Sequence, residues 1–278
     1  MILENAETGL LDASREIGKS YSKIQRTLKQ NHCKPYKLLP VQELTENQKR
    51  KRLDFCQQML QRLDENPNLF KQILWTDESS FSTAGVFNRK NKYSWENKNH
   101  RKRAIVEIRK SGRKSIKVWC GIFQNKIVGP IFFDYTLTRE TYLEMILPEV
   151  GQHLDRFSDE ELNEIIWQQD GAPPHNVLEV REWLNGQFDV WIGNGGPISW
   201  PPNSPDINPL DTFLWGFLKN KIYNNSNHSI EIIKNKIRQE IDELNQDNNN
   251  TVRNCIQNLR RRYELCVLNN GGHFEQFL

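Results

Sequence analysis

The sequence predicts an α/β protein in which helices flank a mixed β-sheet. Three observations support this fold class. With 278 residues, of which 37% are hydrophobic, the chain is long enough to bury one full-sized core. Runs of β-branched and aromatic residues predict a strand and a hairpin between residues 73 and 133. Beyond residue 138, helical and strand-like segments alternate.

The N-terminal segment, residues 1–34, is predicted to contain part of a helix-turn-helix unit. Residues 8–30 fit two short helices around a break at 18–20. The second helix has one apolar stripe, formed by Tyr21, Ile24 and Leu28. Its opposite face carries Lys23 and Arg26, which could contact DNA as a recognition helix does. Short amphipathic helix pairs are common, so this pattern alone does not identify a partner.

Residues 35–69 are predicted to form a linker followed by a helix. Pro35 and Pro40 favour an extended backbone. The tetrapeptide Thr45-Glu46-Asn47-Gln48 is a capping box, which typically opens a helix. The apolar positions of that helix are Leu53, Cys56, Leu60 and Leu63.

Residues 70–224 are predicted to form the core domain. A strand leads into Asp77, and residues 116–123 and 127–133 form a hairpin. Helices and short strands then alternate, at 140–154, 165–167, 177–184, 190–192 and 209–223. This order matches the ribonuclease H-like fold. Residues 225–278 are predicted to add two helices packed on the core, because two further apolar stripes repeat at helical spacing.

Charge is concentrated in one segment, which interrupts the predicted sheet. Residues 88–117 hold twelve Lys or Arg and two acids, a net charge of +10, whereas the chain as a whole carries +3. A charge run is often only a solvated loop, but its length and its position favour contact with a polyanion. We predict a basic insertion at 88–114 that binds DNA. Its candidate contact residues are Lys98, Arg101, Lys102, Arg103, Lys110, Arg113 and Lys114.

Three aspartates are candidate metal ligands. Asp77 and Asp170 each follow an apolar strand-like run, which carries their carboxylates to the edge of the core. Asp211 lies in the first turn of a predicted helix and is expected to point toward the sheet, on the face of Trp215. Each aspartate taken singly could instead be a turn residue or complement a helix dipole.

Three separated stretches supply the context that favours catalysis. They are Trp75-Thr76-Asp77-Glu78-Ser79-Ser80-Phe81, Gln169-Asp170-Gly171-Ala172-Pro173-Pro174-His175 and Trp200-Pro201-Pro202-Asn203-Ser204-Pro205-Asp206-Ile207-Asn208-Pro209-Leu210-Asp211. Together they resemble the catalytic signature of mariner-type cut-and-paste DNA transposases. The resemblance runs from about residue 39 to residue 274 and includes the ending Gly271-Gly272-His273-Phe274.

The resemblance implies an enzyme that cuts DNA at transposon ends and joins the freed ends to target DNA. It assigns the third acidic position to Asp211 rather than Asp206. Asp77 would bridge two Mg²⁺ ions, with Mn²⁺ as a substitute, and Asp170 and Asp211 would each hold one. The implied partners are double-stranded DNA and a second copy of the chain in a homodimer, in the nucleus of a eukaryotic host. Only the second of the family's two helix-turn-helix units is recognisable, so the chain is expected to be N-terminally truncated.

The sequence is also compatible with two other functions. One is a domesticated DNA-binding protein that keeps the catalytic fold as a scaffold. The other is a general ribonuclease H-type nuclease, which would lack the helix-turn-helix. The sequence contains five scattered cysteines without the close pairing of a zinc site, so reduced thiols are expected.

Overall fold

The computed structural model describes residues 17–31, 41–83, 114–223, 229–248 and 250–278. The chain divides into two compact units, Met1–Gln42 and Glu43–Leu278. In the first unit helix α1 (Tyr21–Gln30) begins after Ser20, whose hydroxyl accepts a hydrogen bond from the Lys23 amide. Ile24 is buried as predicted, but Tyr21 is 43% exposed, so the predicted apolar stripe is wrong at that position. The other predicted helix of this unit lies outside the described residues.

The second unit contains a five-stranded sheet and most of the helices. Its strands are β1 (Ile73–Ser82), β2 (Ser115–Phe123), β3 (Lys126–Phe133), β4 (Ile166–Gln168) and β5 (Trp191–Ile192). Its α-helices are α2 (Glu46–Glu65), α3 (Leu69–Gln72), α4 (Arg139–Thr141), α5 (Leu147–Leu154), α6 (Asp159–Asn163), α7 (Leu178–Gln187), α8 (Trp215–Ile222), α9 (Ile230–Asn245) and α10 (Thr251–Leu268). None of the helices in the described part of the chain is long and apolar enough to cross a membrane.

The sheet has the order β3-β2-β1-β4-β5. Strands β1, β2 and β3 pair antiparallel, whereas β4 and β5 join β1 in parallel. Both residues of the β2–β3 turn, Gln124 and Asn125, have positive φ, as a two-residue hairpin requires. A mixed sheet flanked by helices is therefore confirmed.

Alternate residues of the strands enter two separate apolar layers. Trp75 packs on one face with residues of helices α2, α8, α9 and α10. Leu74 packs on the other face with Tyr142 and with residues of α5 and α7. Helix α2, which the sequence places in a linker segment, is thus part of the same core as the sheet.

Two helices contain a π-helical turn that the sequence pattern does not predict. One turn, Tyr142–Ile146, lies between α4 and α5. The other, Leu210–Leu214, precedes α8 and contains Asp211. A π turn accommodates one more residue than an α turn, and such turns occur often at functional sites.

Candidate active site

Strand pairing brings Asp77 and Asp170 to the same edge of the sheet. The parallel pairing of β1 with β4 ends at Trp75 and Gln168. Asp77 and Asp170 each follow two residues after this last pair. The two segments therefore place these aspartates side by side just beyond the end of the pairing. The prediction that Asp77 lies at a strand end is wrong, because β1 continues to Ser82 through its pairing with β2. Strand β4 ends before it reaches the level of Asp77, so β1 has no β4 partner at this residue.

Asp211 reaches this edge from the π-helical turn before α8, which packs against β1. One turn later the indole Nε1 of Trp215 donates a hydrogen bond of 2.6 Å to Asp77 Oδ2. Trp215 is buried, whereas Asp211 is exposed. The prediction that Asp211 points away from water is therefore wrong. A π turn is wider than an α turn, so Asp211 does not lie on the same face of the helix as the buried Trp215.

The Asp211 carboxylate is close enough to those of Asp77 and Asp170 for their charges to interact. Burial raises the pKa of Asp77 well above its usual range, and the charges of Asp211 and Glu78 raise it further. Although Asp211 is partly exposed, the protein around it displaces part of its water, and this effect, followed by the charge of Asp170, raises the pKa of Asp211 to about 6. Repulsion among the carboxylates thus opposes ionisation of two of them, and a bound cation would relieve it.

His175 connects Asp170 to strand β1. It lies in a short 3₁₀ turn (Pro173–Asn176), where its Nδ1 is 2.8 Å from Asp170 Oδ1 and its Nε2 is 3.5 Å from Glu78 Oε1. Burial lowers the pKa of His175, but Glu78 and Asp170 outweigh that effect and raise it to about 10. The ring is therefore charged at neutral pH, and it holds the Asp170 carboxylate from the protein side.

The turn that contains His175 is fixed by a buried network. The Tyr142 ring packs on the His175 ring, with 4.6 Å between the ring centroids. The Tyr142 hydroxyl donates to Gln169 Oε1 at 3.0 Å, as does Trp167 Nε1 at 3.2 Å. Gln169 Nε2 donates in turn to the His175 carbonyl at 3.1 Å. Because these groups are buried, the orientation of His175, and through it that of Asp170, is well defined.

Lys219 brings a positive charge to the other side of the site. It lies on α8, with its Nζ 5.6 Å from the centroid of the Phe81 ring. Burial lowers the pKa of Lys219, and the charges of Asp211 and Asp77 partly offset this. Lys219 is thus within electrostatic reach of two of the aspartates.

The chemistry of these side chains fits a hard divalent cation. Mg²⁺ prefers carboxylate oxygens and usually keeps several water ligands. As the side chains stand, no three His, Cys, Asp or Glu residues within the described ranges converge closely enough to hold a metal ion. Asp77 is engaged by Trp215 and Asp170 by His175. The assignment of Asp77, Asp170 and Asp211 as metal ligands remains a prediction.

The predicted DNA-contacting residues are only partly described. Lys23 and Arg26 are exposed on α1, and Lys114 is exposed just before β2. The remaining candidates lie outside the described residues, and they are Lys98, Arg101, Lys102, Arg103, Lys110 and Arg113.

Comparisons with known proteins agree on one family of relatives, although no family model matches the chain. The chain is 28% identical over 162 residues to the Tc1 transposase of Caenorhabditis elegans, which covers 54% of this chain and 51% of that protein. It is 25% identical over 275 residues to human SETMAR, a histone-lysine N-methyltransferase, which covers 95% of this chain and 37% of that protein. The chain therefore spans about half the length of the first relative and less of the second.

Solved structures of the Mos1 mariner transposase share the fold. A Mos1 paired-end complex with the left transposon end matches 99% of this chain with a TM-score of 0.79 and 19% identity. The isolated Mos1 catalytic domain matches 85% of this chain with a TM-score of 0.63 and 19% identity. These matches confirm the ribonuclease H-like fold, and together with the sequence relatives they confirm the resemblance to mariner-type transposases.

Proposed function

We propose that this chain, a relative of mariner-type transposases in sequence and fold, is a metal-dependent DNA transposase. It would hydrolyse a phosphodiester bond at each transposon end and join the freed end to target DNA. The observation that carries the proposal is the shared strand register of Asp77 and Asp170, with Asp211 within electrostatic range of both. Carboxylates grouped in this way at a sheet edge are suited to holding cations against DNA phosphate.

The reaction consists of two displacements at phosphorus. In the first, a water oxygen forms a bond to phosphorus while the bond to the 3′ oxygen breaks, and that oxygen leaves as a 3′ hydroxyl. In the second, this hydroxyl forms a bond to a target phosphorus, loses its proton and displaces a target 3′ oxygen. Two divalent ions, Mg²⁺ with Mn²⁺ as a substitute, would activate the attacking oxygen and stabilise the leaving one.

The side chains divide the work of binding and orientation. Asp77, Asp170 and Asp211 would hold the ions through their carboxylate oxygens. Trp215 and His175 hold the first two carboxylates in place through their hydrogen bonds. Lys219 is available at the rim to bind a nonbridging oxygen of the DNA backbone, where it would add a sequence-independent electrostatic contact.

The proposal includes the partners and location that the family resemblance implies. Mos1 structures solved with Mn and with Mg support the use of a divalent ion. Mos1 complexes with transposon-end DNA support double-stranded DNA as the substrate. Because two transposon ends must be processed together, we propose a homodimer. In a eukaryotic host this activity would require the chain to be in the nucleus.

The proposal can be tested by nicking of supercoiled plasmid and by joining of a labelled oligonucleotide 3′ end into that plasmid, in Mg²⁺, Mn²⁺ or chelator. We expect metal-dependent nicking and joining by the unaltered chain and loss of both in Asp77→Asn and Asp211→Asn. Asp159→Asn, an exposed aspartate in the first turn of α6, is the matched control. Undiminished nicking in either active-site variant would refute the assignment. DNA binding without any nicking by the unaltered chain would favour a DNA-binding protein derived from a transposase.

A further inference from the structure

A fully buried arginine lies outside the proposed metal site and is not used by its chemistry. Arg52 is on helix α2 and has no exposed surface. Its Nη1 and Nη2 donate to the two carboxylate oxygens of Asp206, each at 2.6 Å. It also donates to Ser204 Oγ at 3.0 Å and to the Gly271 carbonyl at 2.7 Å. One side chain thus connects the first helix of the unit, the segment before Asp211 and the C-terminal tail.

The C-terminal tail, which follows helix α10, approaches helix α2 closely at Gly271. Gly271 has a φ of +76°, and a Cβ at this position would lie 1.9 Å from the Lys49 carbonyl oxygen of α2. Only glycine permits such a close approach of the tail to the helix. The approach places the Gly271 carbonyl against Arg52 Nε. Glycine at position 271 is therefore required by the close approach to the α2 backbone, which also brings its carbonyl to Arg52.

Asp206 is held from a second direction as well. Arg262 of α10 donates from Nη1 to the backbone carbonyl of Asp206 at 3.0 Å. Asp206 lies in a short 3₁₀ turn, Pro205–Ile207, and its side chain is almost fully buried. Two arginines thus fix both the carboxylate and the backbone of this residue.

The turn containing Asp206 is connected through Asn208 to the backbone beside two of the proposed metal ligands. Asn208, two residues later, donates from Nδ2 to the Thr76 carbonyl at 3.4 Å, next to Asp77. Its own side-chain and backbone oxygens accept from the Leu210 amide at 3.0 Å and the Thr212 hydroxyl at 2.9 Å, on either side of Asp211. Asn208 therefore connects the backbone that carries Asp77 to the backbone that carries Asp211.

We propose that the Arg52–Asp206 ion pair is a positioning device that sets the spacing between Asp77 and Asp211 for metal binding. The inference rests on the proposed function, since it concerns the same carboxylates. A buried ion pair is a poor source of stability, because removing two charges from water offsets much of their attraction. It fixes geometry well, because the planar guanidinium meets both carboxylate oxygens in one orientation. Groups that orient metal ligands in this indirect way strongly influence metal affinity.

The experiment measures binding of Tb³⁺, used as a luminescent probe for the divalent ion. Trp215, bonded to Asp77, is placed to sensitise a lanthanide held by that carboxylate. The full chain is titrated with Tb³⁺, and its thermal unfolding is recorded in parallel. We expect Asp206→Asn and Arg52→Lys to raise the half-saturating Tb³⁺ concentration about ten- to a hundredfold. Arg50→Gln, an exposed arginine on the same helix, is the control and should leave it unchanged.

The outcomes separate the positioning role from a structural one. A role in stability alone would lower the melting temperature and leave the affinity of the folded protein unchanged, and that result for Asp206→Asn would overturn the proposal. Should Asp206→Asn not fold, Arg262→Gln removes the bond to the Asp206 backbone, together with a 3.5 Å contact to the exposed Glu275, and retains the Arg52–Asp206 pair. The expected loss of affinity is then about three- to tenfold, and unchanged binding would again overturn the proposal. Absence of Tb³⁺ binding in the unaltered chain, or its persistence in Asp77→Asn, would instead contradict the proposed function.

Discussion

Replacement of His175 by alanine tests whether the site depends on the side chain behind Asp170. The substitution removes the 2.8 Å contact to Asp170 Oδ1 and leaves Glu78 Oε1, a buried atom, without a nearby cation. It also removes the ring that packs on Tyr142. Loss of one member of a buried charge pair typically costs about 3 to 5 kcal/mol.

The expected cost here is at the lower end of that range. The side chain of Asp170 is 44% exposed and that of Glu78 is 18% exposed, so water screens part of the lost interaction. We expect His175→Ala to reduce the free energy of unfolding by about 3 kcal/mol. For a unit of this size the melting temperature would fall by roughly 6 to 12 °C. Differential scanning calorimetry in chelator measures the effect without contribution from metal.

Two conservative variants separate stability from orientation of Asp170. In His175→Asn the side-chain amide replaces Nδ1 and can donate to Asp170, whereas in His175→Gln it replaces Nε2 and faces Glu78. Plasmid nicking at saturating Mn²⁺, at a temperature where both variants are folded, should therefore be faster for His175→Asn. Equal rates in the two variants, or an undiminished rate in His175→Ala, would refute the view that His175 orients Asp170.

The remaining predictions concern the C-terminal tail and the rim of the site. Gly271 has a positive φ, and in Gly271→Ala the added Cβ would overlap the α2 backbone. We expect the free energy of unfolding, measured in urea, to fall by about 3 kcal/mol. A fall below about 1 kcal/mol would contradict the described packing. Lys219→Gln should weaken DNA binding and reduce the slope of log affinity against log salt by about one. The matched control is Lys221→Gln, because Lys221 is on the same helix but pairs with Glu240 at 3.2 Å. Equal salt slopes for the two variants would contradict a phosphate contact by Lys219.

The sequence predicts most of the fold because its local signals agree with its long-range packing. The Thr45 capping box opens α2, and the apolar stripes of α9 and α10 are buried as their spacing predicts. The exceptions arise where tertiary contacts set the geometry. Strand β1 extends past Asp77 because it pairs with β2, and the turn at Asp211 is a π turn, which a period of 3.6 residues does not reveal.

The site is predictable as a set of aspartates but not as a network. The motifs identify Asp77, Asp170 and Asp211, since each stands at a recognisable position after an apolar run or a helix start. They give no indication of Arg52, which lies more than 150 residues from Asp206 in a segment predicted to be a linker and helix. A basic residue in an amphipathic helix is normally solvated, and only the folded chain shows that this one is buried.

The proposed function requires that three aspartates distant in sequence, Asp77, Asp170 and Asp211, bind the same cations. The most direct test is a crystal of the chain soaked with Mn²⁺, in which anomalous scattering locates the metal independently of any assumption about ligands. We expect Mn²⁺ within about 2 to 2.5 Å of carboxylate oxygens of Asp77, with Asp170 and Asp211 as further ligands. Manganese bound elsewhere, or bound at Asp77 and Asp170 with Asp211 turned to solvent, would contradict it.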